Sequence, residues 1–140
     1  MGFEPIDSED RKLIEAAWDV LQRNYHPERH SVGAAVLCPN GRIYRGVNVE
    51  ACGYGPCAEP IAIGAAITSG ERTFLAIVAV HREQDGYRVL SPCGNCRQLL
   101  VDYAPDAFVI FSENGTVLKA RARDLLPGAY NSRFGVRREN

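Results

Sequence analysis

Cys57-Ala58-Glu59-Pro60-Ile61-Ala62-Ile63-Gly64-Ala65-Ala66-Ile67-Thr68, followed by Phe74-Leu75-Ala76-Ile77-Val78-Ala79-Val80, is the stretch on which the fold turns. Small and apolar residues over Cys57 to Thr68 suit a buried helix, and Gly70 ends it. The run Phe74 to Val80 is continuously apolar, as a strand covered on both faces is. A buried helix feeding a doubly covered strand implies a sheet with helices on both sides.

The flanking sequence extends that pattern. Upstream, Ser8 to Asn24 reads as an amphipathic helix. Asp7 or Ser8 can cap it, Leu13, Ile14, Ala17, Trp18 and Leu21 share a face, and Pro27 forbids continuation. Val32–Leu37 and Ile43–Val49 read as a hairpin around Pro39-Asn40-Gly41, and Ala51–Pro56 as a loop. Downstream, Arg82–Arg88 reads as a polar loop, and Pro92 precedes a second helix over Cys93–Tyr103. Strands over Ala107–Phe111 and Thr116–Ala120 flank the turn Asn114-Gly115, and a helical turn covers Arg121–Leu126. The order predicts an α/β protein, three-layer α-β-α, with a mixed sheet of about five strands. Ligands of such sheets sit beyond strand ends beside helix N-termini.

The chain of 140 residues carries no internal repeat or linker and is read as one domain over 1–140. No apolar run approaches the ~20 residues of a membrane helix, and the start is acidic rather than signal-like, so a cytoplasmic protein without membrane contact is expected. Sixteen basic and seventeen acidic residues leave a formal charge of -1, which disfavours extended nucleic acid as a partner. The one local basic excess, Arg133, Arg137 and Arg138, reads as a solvated tail.

The five cysteines are Cys38, Cys52, Cys57, Cys93 and Cys96. An odd number without a secretory signal argues against a disulfide framework and turns attention to metal or catalysis. Cys93-Gly94-Asn95-Cys96 opens a helix after Pro92, and Cys57 opens another after Pro56. Thiols three apart on a first helical turn can reach one ion, and helix N-termini favour thiolates. Two such helix starts facing each other would gather three thiolates, leaving the fourth tetrahedral position of a zinc ion open, as in catalytic sites. A fourth ligand from Cys52, His26, His30 or His81 would instead close the site and make it structural. Cys-x-x-Cys alone also fits a redox pair, which needs neither Cys57 nor Glu59. Glu59, two residues after Cys57, is placed for proton transfer beside a metal-bound water, although a lone acid there would only complement the helix dipole. Cys-x-Glu with Pro-Cys-x-x-Cys matches the established signature of zinc-dependent base deaminases.

On these residues the chain resembles the cytidine deaminase family, and within it the blasticidin-S deaminase branch. Further similar segments are Ser31-Val32-Gly33-Ala34-Ala35, Gly41-Arg42-Ile43, Gly46-Val47-Asn48-Val49-Glu50, Gly55-Pro56 and Leu125-Leu126-Pro127-Gly128-Ala129-Tyr130. The resemblance implies one Zn²⁺ per subunit on Cys57, Cys93 and Cys96, with Glu59 as proton shuttle. It implies Asn48 and Glu50 as sugar-binding residues, and Ala58 and Ser91 as backbone readers of the base edge. Ser31 and Tyr130 match substrate contacts of the blasticidin-S branch; otherwise they are a strand-start hydroxyl and a tail anchor. It further implies a free cytosine-type nucleoside as substrate, with release of ammonia in pyrimidine salvage, and a homotetramer. An aminoacyl-nucleoside antibiotic such as blasticidin S is the alternative substrate, and a non-catalytic zinc-stabilised domain is the alternative outside enzymes. Pro60 departs from the small cytidine deaminases, which carry arginine there to offset thiolate charge. The two helix dipoles, backbone N–H groups and Arg97 are expected to take over that task.

Overall fold

In the computed structural model, which describes residues 2–131, the sheet is laid out by the alternation of its strands. Ala34 and Val36, Ile77 and Ala79, and Val109 and Phe111 point into one apolar layer; Ala35, Val78, Val80 and Ile110 point into the other. These three central strands are covered on both faces, so their two alternating sets are both buried.

The elements in chain order are β1 (Glu4–Pro5), α1 (Ser8–Asn24), β2 (Val32–Leu37), β3 (Ile43–Val47), α2 (Ala58–Thr68), β4 (Ala76–Glu83), β5 (Gly86–Val89), α3 (Gly94–Tyr103), β6 (Phe108–Glu113) and β7 (Thr116–Arg121). Short 3-10 turns cover Pro39–Gly41 and Ala122–Leu125. The seven described strands form a mixed sheet in which six run in the order β1-β7-β6-β4-β2-β3 and β5 pairs with β4 off that path. Only β4 and β6 pair in parallel, across the connection that contains α3. Leu13, Ala17 and Leu21 of α1 fill one layer, while Ala62 and Ile63 of α2 and Leu100 of α3 fill the other. The expected α-β-α architecture is observed.

Helix α1 starts on a reciprocal cap. Asp10 N donates to Asp7 Oδ1 at 3.0 Å, and Asp7 N donates to Asp10 Oδ2 at 2.9 Å. Two glycines set how closely helix and sheet approach. A Cβ on Gly33 would stand 2.5 Å from Ala17 O, and one on Gly46 would stand 2.7 Å from Ala62 N. Side chains there would push α1 off β2 and α2 off β3.

The sheet holds two strands more than the sequence pattern predicts. Arg82–Arg88 is the tip of a hairpin rather than a loop: β5 pairs antiparallel with β4 from Val80↔Val89 to Glu83↔Gly86. Its side chains are mostly exposed, so they leave no apolar alternation to read; Arg88 Nε donates to Glu83 Oε2 at 3.0 Å, and Arg82 lies over the Tyr25 ring. The other addition, β1, is two residues long and pairs with β7, too short for any periodicity. Among the described residues no helix is long and apolar enough to cross a membrane. The basic tail residues Arg133, Arg137 and Arg138 lie outside the described residues.

Candidate active site

Two helix starts meet at one place. Cys57 is the N-cap of α2 and Cys93 the N-cap of α3, both in extended backbone conformation with no side-chain cap bond. Their side chains are therefore free to face one another, with Sγ atoms 3.7 Å apart. Cys96, in the first turn of α3, is buried, and all three Sγ atoms lie within 4.8 Å of one another. Tetrahedral thiolate ligands at ~2.3 Å from zinc stand ~3.8 Å apart, so the donor set fits that ion in both chemistry and spacing. Among the described residues neither Cys52 nor a histidine joins the group. Cys52 is exposed, His30 Nδ1 lies 2.8 Å from Asn48 O, and His81 Nδ1 lies 3.2 Å from Glu83 Oε2. Among the described residues the arrangement is a three-sulfur cluster.

The sulfurs differ in surroundings. Burial pushes the Cys57 and Cys96 thiols up, and the Glu59 carboxylate adds to the rise at both. For Cys93 burial acts in the same direction, but hydrogen bonds from the Cys96 and Asn95 backbone N–H groups and from the neighbouring thiols outweigh it. They hold Cys93 below its ordinary value. The amides at the start of α3 thus favour the Cys93 thiolate, whereas Cys57 at the start of α2 is raised. Arg97 does not share it as expected: its hydrogen bonds go to the carbonyls of Pro92 and Leu125.

Glu59 stands in the first turn of α2 and is 6% exposed, with Oε1 3.5 Å from Cys96 Sγ. Burial raises its carboxyl above the ordinary glutamate value. A buried acid set against a cysteine sulfur, without an ion pair among the described residues, is out of place in a purely structural cluster.

In front of this corner lies a cavity of about 230 Å³. Ser31, Asn48, Glu50, Ala58, Glu59 and Ser91 all line it, together with Cys57 and Cys93. A larger cleft of about 580 Å³ sits on the α1 side, between Arg11, Glu15, Tyr87 and Val117, but it touches none of these residues. The far wall is organised by Asn48, which is 5% exposed. Its Oδ1 accepts from the N–H groups of Ser31 at 2.8 Å and Val32 at 2.9 Å, and its Nδ2 donates to Glu50 Oε2 at 3.1 Å. Asn48 thereby ties the segment carrying Ser31 to the segment carrying Glu50, rather than being a solvated loop residue. The Ser91 hydroxyl donates to Ser112 O at 2.7 Å, which leaves the residue's backbone for the cavity. Tyr130 is not brought in: its ring is exposed, and its carbonyl accepts from Gln98 Nε2 at 3.1 Å. The sequence reading passes over Leu90 and Gly55, which also line the cavity. Their places beside Ser91-Pro92-Cys93 and Pro56-Cys57 are the signal that could have found them.

A helical layer on each face of a mixed sheet, with three cysteines at two helix starts, defines a class of zinc-dependent deaminases. Residues 7–112 match the cytidine and deoxycytidylate deaminase zinc-binding region, and the chain belongs to that family. It is a zinc-dependent hydrolase with Cys57, Cys93 and Cys96 positioned to hold the ion. Among individual relatives, it is 41% identical over 132 residues to blasticidin-S deaminase of Bacillus cereus, covering 89% of this chain and 94% of that one. It is 35% identical over 125 residues to cytidine deaminase of Halalkalibacterium halodurans, covering 86% and 92%. The crystal structure of cytidine deaminase from Burkholderia pseudomallei superposes with a TM-score of 0.72 at 35% identity, covering 86% of this chain and 98% of that one.

Proposed function

We propose that the protein hydrolytically deaminates a free cytosine-type nucleoside such as cytidine or deoxycytidine, releasing ammonia. The observation that carries this reading is the buried Glu59 at the base of a cavity whose one wall is the cysteine corner and whose other is the Asn48–Glu50 rim. The chemistry zinc supplies when bound is acidification of a water at its open position. Glu59 accepts a proton from that water at a carboxylate oxygen. It would return the proton to the ring nitrogen as the water's oxygen bonds to the ring carbon. It would then carry the remaining hydroxyl proton to the amine, so that the C–N bond breaks, the C=O forms and ammonia leaves. The backbone groups of Ala58 and Ser91 orient the ring by its polar edge. Glu50, whose Oε2 is turned by Asn48, receives the sugar hydroxyls.

A second reading is supported by the 41% identity to a blasticidin-S deaminase and by Pro60 in place of the arginine of small cytidine deaminases. Glu50 favours the first, as the carboxylate that the resemblance to cytidine deaminases assigns to the sugar. Assembly into a homotetramer belongs to the same proposal and is checked by sedimentation. The deciding experiment measures ammonia release from cytidine, deoxycytidine and blasticidin S. Glu59→Gln should keep its zinc and lose about 10²–10⁴-fold in turnover. Wild-type turnover in a zinc-loaded Glu59→Gln protein would overturn the assignment, and Glu50→Ala should raise KM for cytidine more than for blasticidin S.

A further inference from the structure

Arg97 follows Cys96 in α3, and its guanidinium spans two carbonyls that no other feature brings together. Nε donates to Pro92 O at 2.8 Å, and Nη1 donates to Leu125 O at 2.8 Å. Pro92 immediately precedes Cys93, and the Arg97 backbone N–H donates to Cys93 O at 2.9 Å. One residue therefore grips the chain on both sides of the Cys93 α-carbon. Its far end rests on the 3-10 turn Ala122–Leu125, which packs through Ala122 and Leu125 into the core beneath α3. The next residue, Gln98, holds Tyr130 O, so consecutive side chains of α3 strap residues 125–130 along the helix.

The three sulfurs do not need such help equally. Cys96 is fixed by burial within α3, and Cys57 is half-buried. Cys93 is exposed, so burial does less to fix it than it does for Cys96. Its sulfur is oriented by the Asn95 and Cys96 N–H groups, and the backbone on which it hangs is the one Arg97 grips.

We propose that Arg97 is a positioning residue for the metal centre. It fixes Cys93 by joining the Pro92 carbonyl to the C-terminal turn, and the strap 125–130 is thereby part of the centre's support. This goes beyond the substrate reading above and rests only on the zinc centre. A planar guanidinium presents two nitrogens in a fixed fork, whereas the single nitrogen of lysine reaches one carbonyl at a time. Span and charge can therefore be separated: Arg97→Lys keeps the charge and loses the bridge, and Arg97→Met loses both.

The test uses zinc-loaded wild-type, Arg97→Lys and Arg97→Met proteins. Zinc transfer to a chromogenic pyridylazo chelator is followed well below the melting temperature, and iodoacetamide labelling of each cysteine is read by mass spectrometry. Outer contacts of metal ligands typically change metal affinity about 10–100-fold. We expect both variants to release zinc about tenfold faster or more, with the gain in labelling concentrated at Cys93. Folded variants that release zinc at the wild-type rate overturn the proposal. So does lysine restoring slow release where methionine does not, since that assigns the effect to charge. If Arg97→Met does not fold, Arg97→Lys alone decides between fast and wild-type release. Wild-type protein that binds no zinc also overturns it, and is told apart by metal analysis because the centre itself then fails.

Discussion

The sulfur corner hangs on two helix starts, whereas the rim facing it hangs on one buried amide. Cys57 and Cys93 are placed by the ends of α2 and α3, whose other residues are anchored in the core by Ile63 and Leu100. The rim extends from the paired ends of β2 and β3, where Asn48 N–H also donates to Val32 O at 3.2 Å. Ser31 and Glu50 lie on segments joined largely through Asn48, which accepts from two N–H groups and donates to a carboxylate. The contrast separates two demands. A metal ligand must hold one distance, and rigid elements do this well. A substrate wall must offer particular donors and acceptors, and a loop tied by hydrogen bonds can be changed without moving the metal.

The largest way to break this contrast is at the corner. Cys96→Ala removes the sulfur at the centre of the cluster, buried to 1% exposure, and should abolish stoichiometric zinc and all deaminase activity. Metal analysis of the purified variant checks it. A full zinc complement would mean that another residue can take over, contradicting a three-sulfur centre.

At the rim the expected effect is smaller and of a different kind. Asn48→Ala leaves the Ser31 and Val32 N–H groups without their acceptor, at about 1–3 kcal/mol for each such buried group. Zinc content should stay complete while KM rises about 10–100-fold for a cost of that size. Asn48→Asp sharpens the point: it restores the acceptor but sets a second carboxylate against Glu50, so stability should recover and KM should not. If Asn48→Ala lost zinc as readily as Cys96→Ala, the two regions would be one unit.

The same contrast decides what could be read from the chain before folding. The corner is written in short range: Cys57 to Glu59 and Cys93 to Cys96 each lie within one helical turn, and prolines mark both starts. Helix α1 is legible for the same reason, its reciprocal cap spanning Asp7 to Asp10. The role of Asn48 is not, because its partners are 16 and 17 residues away and only the β2–β3 pairing brings them within reach. Arg97 invites a charge role beside the sulfurs, yet its partners are carbonyls, one of them 28 residues distant. Strand β5 is hidden by its exposure, since a strand with little buried face carries no alternation.

Between rim and corner runs the packing of α2 on β3, and there the test concerns stability alone. Gly46→Ala places a Cβ 2.7 Å from Ala62 N and 2.8 Å from Ile61 Cγ2. Relief requires α2 to shift, at about 1–3 kcal/mol for an overpacked contact. The unfolding free energy, read from denaturant melts, should fall by that amount. Because α2 carries Cys57 and Glu59 at its start, zinc release would rise as well if the helix moved as a rigid body, but not if the strain stayed local.

The smallest effect lies at the opposite end of α2. Glu71 follows the turn at Gly70, and its Oε2 accepts from Arg42 Nε at 2.6 Å and Tyr44 Oη at 2.9 Å, fastening the β2–β3 hairpin to the helix exit. The Arg42 and Tyr44 hydrogen bonds hold its carboxyl below the ordinary glutamate range. A carboxyl whose value is depressed on folding adds stability above its unfolded value, and that stability is lost as pH falls through the folded one. Wild type should therefore be more stable than Glu71→Gln at about pH 7, and the gap should close towards about pH 3. Arg42 is more than half exposed, so solvent screens the pair and the gap is modest. The check is the difference in denaturation midpoint across that range, which cancels whatever the thiols contribute equally to both proteins. A gap unchanged in acid would show that shape, not charge, holds the helix exit. A change in zinc release would show instead that the two ends of α2 are coupled, and that the corner depends on more than its own helix starts.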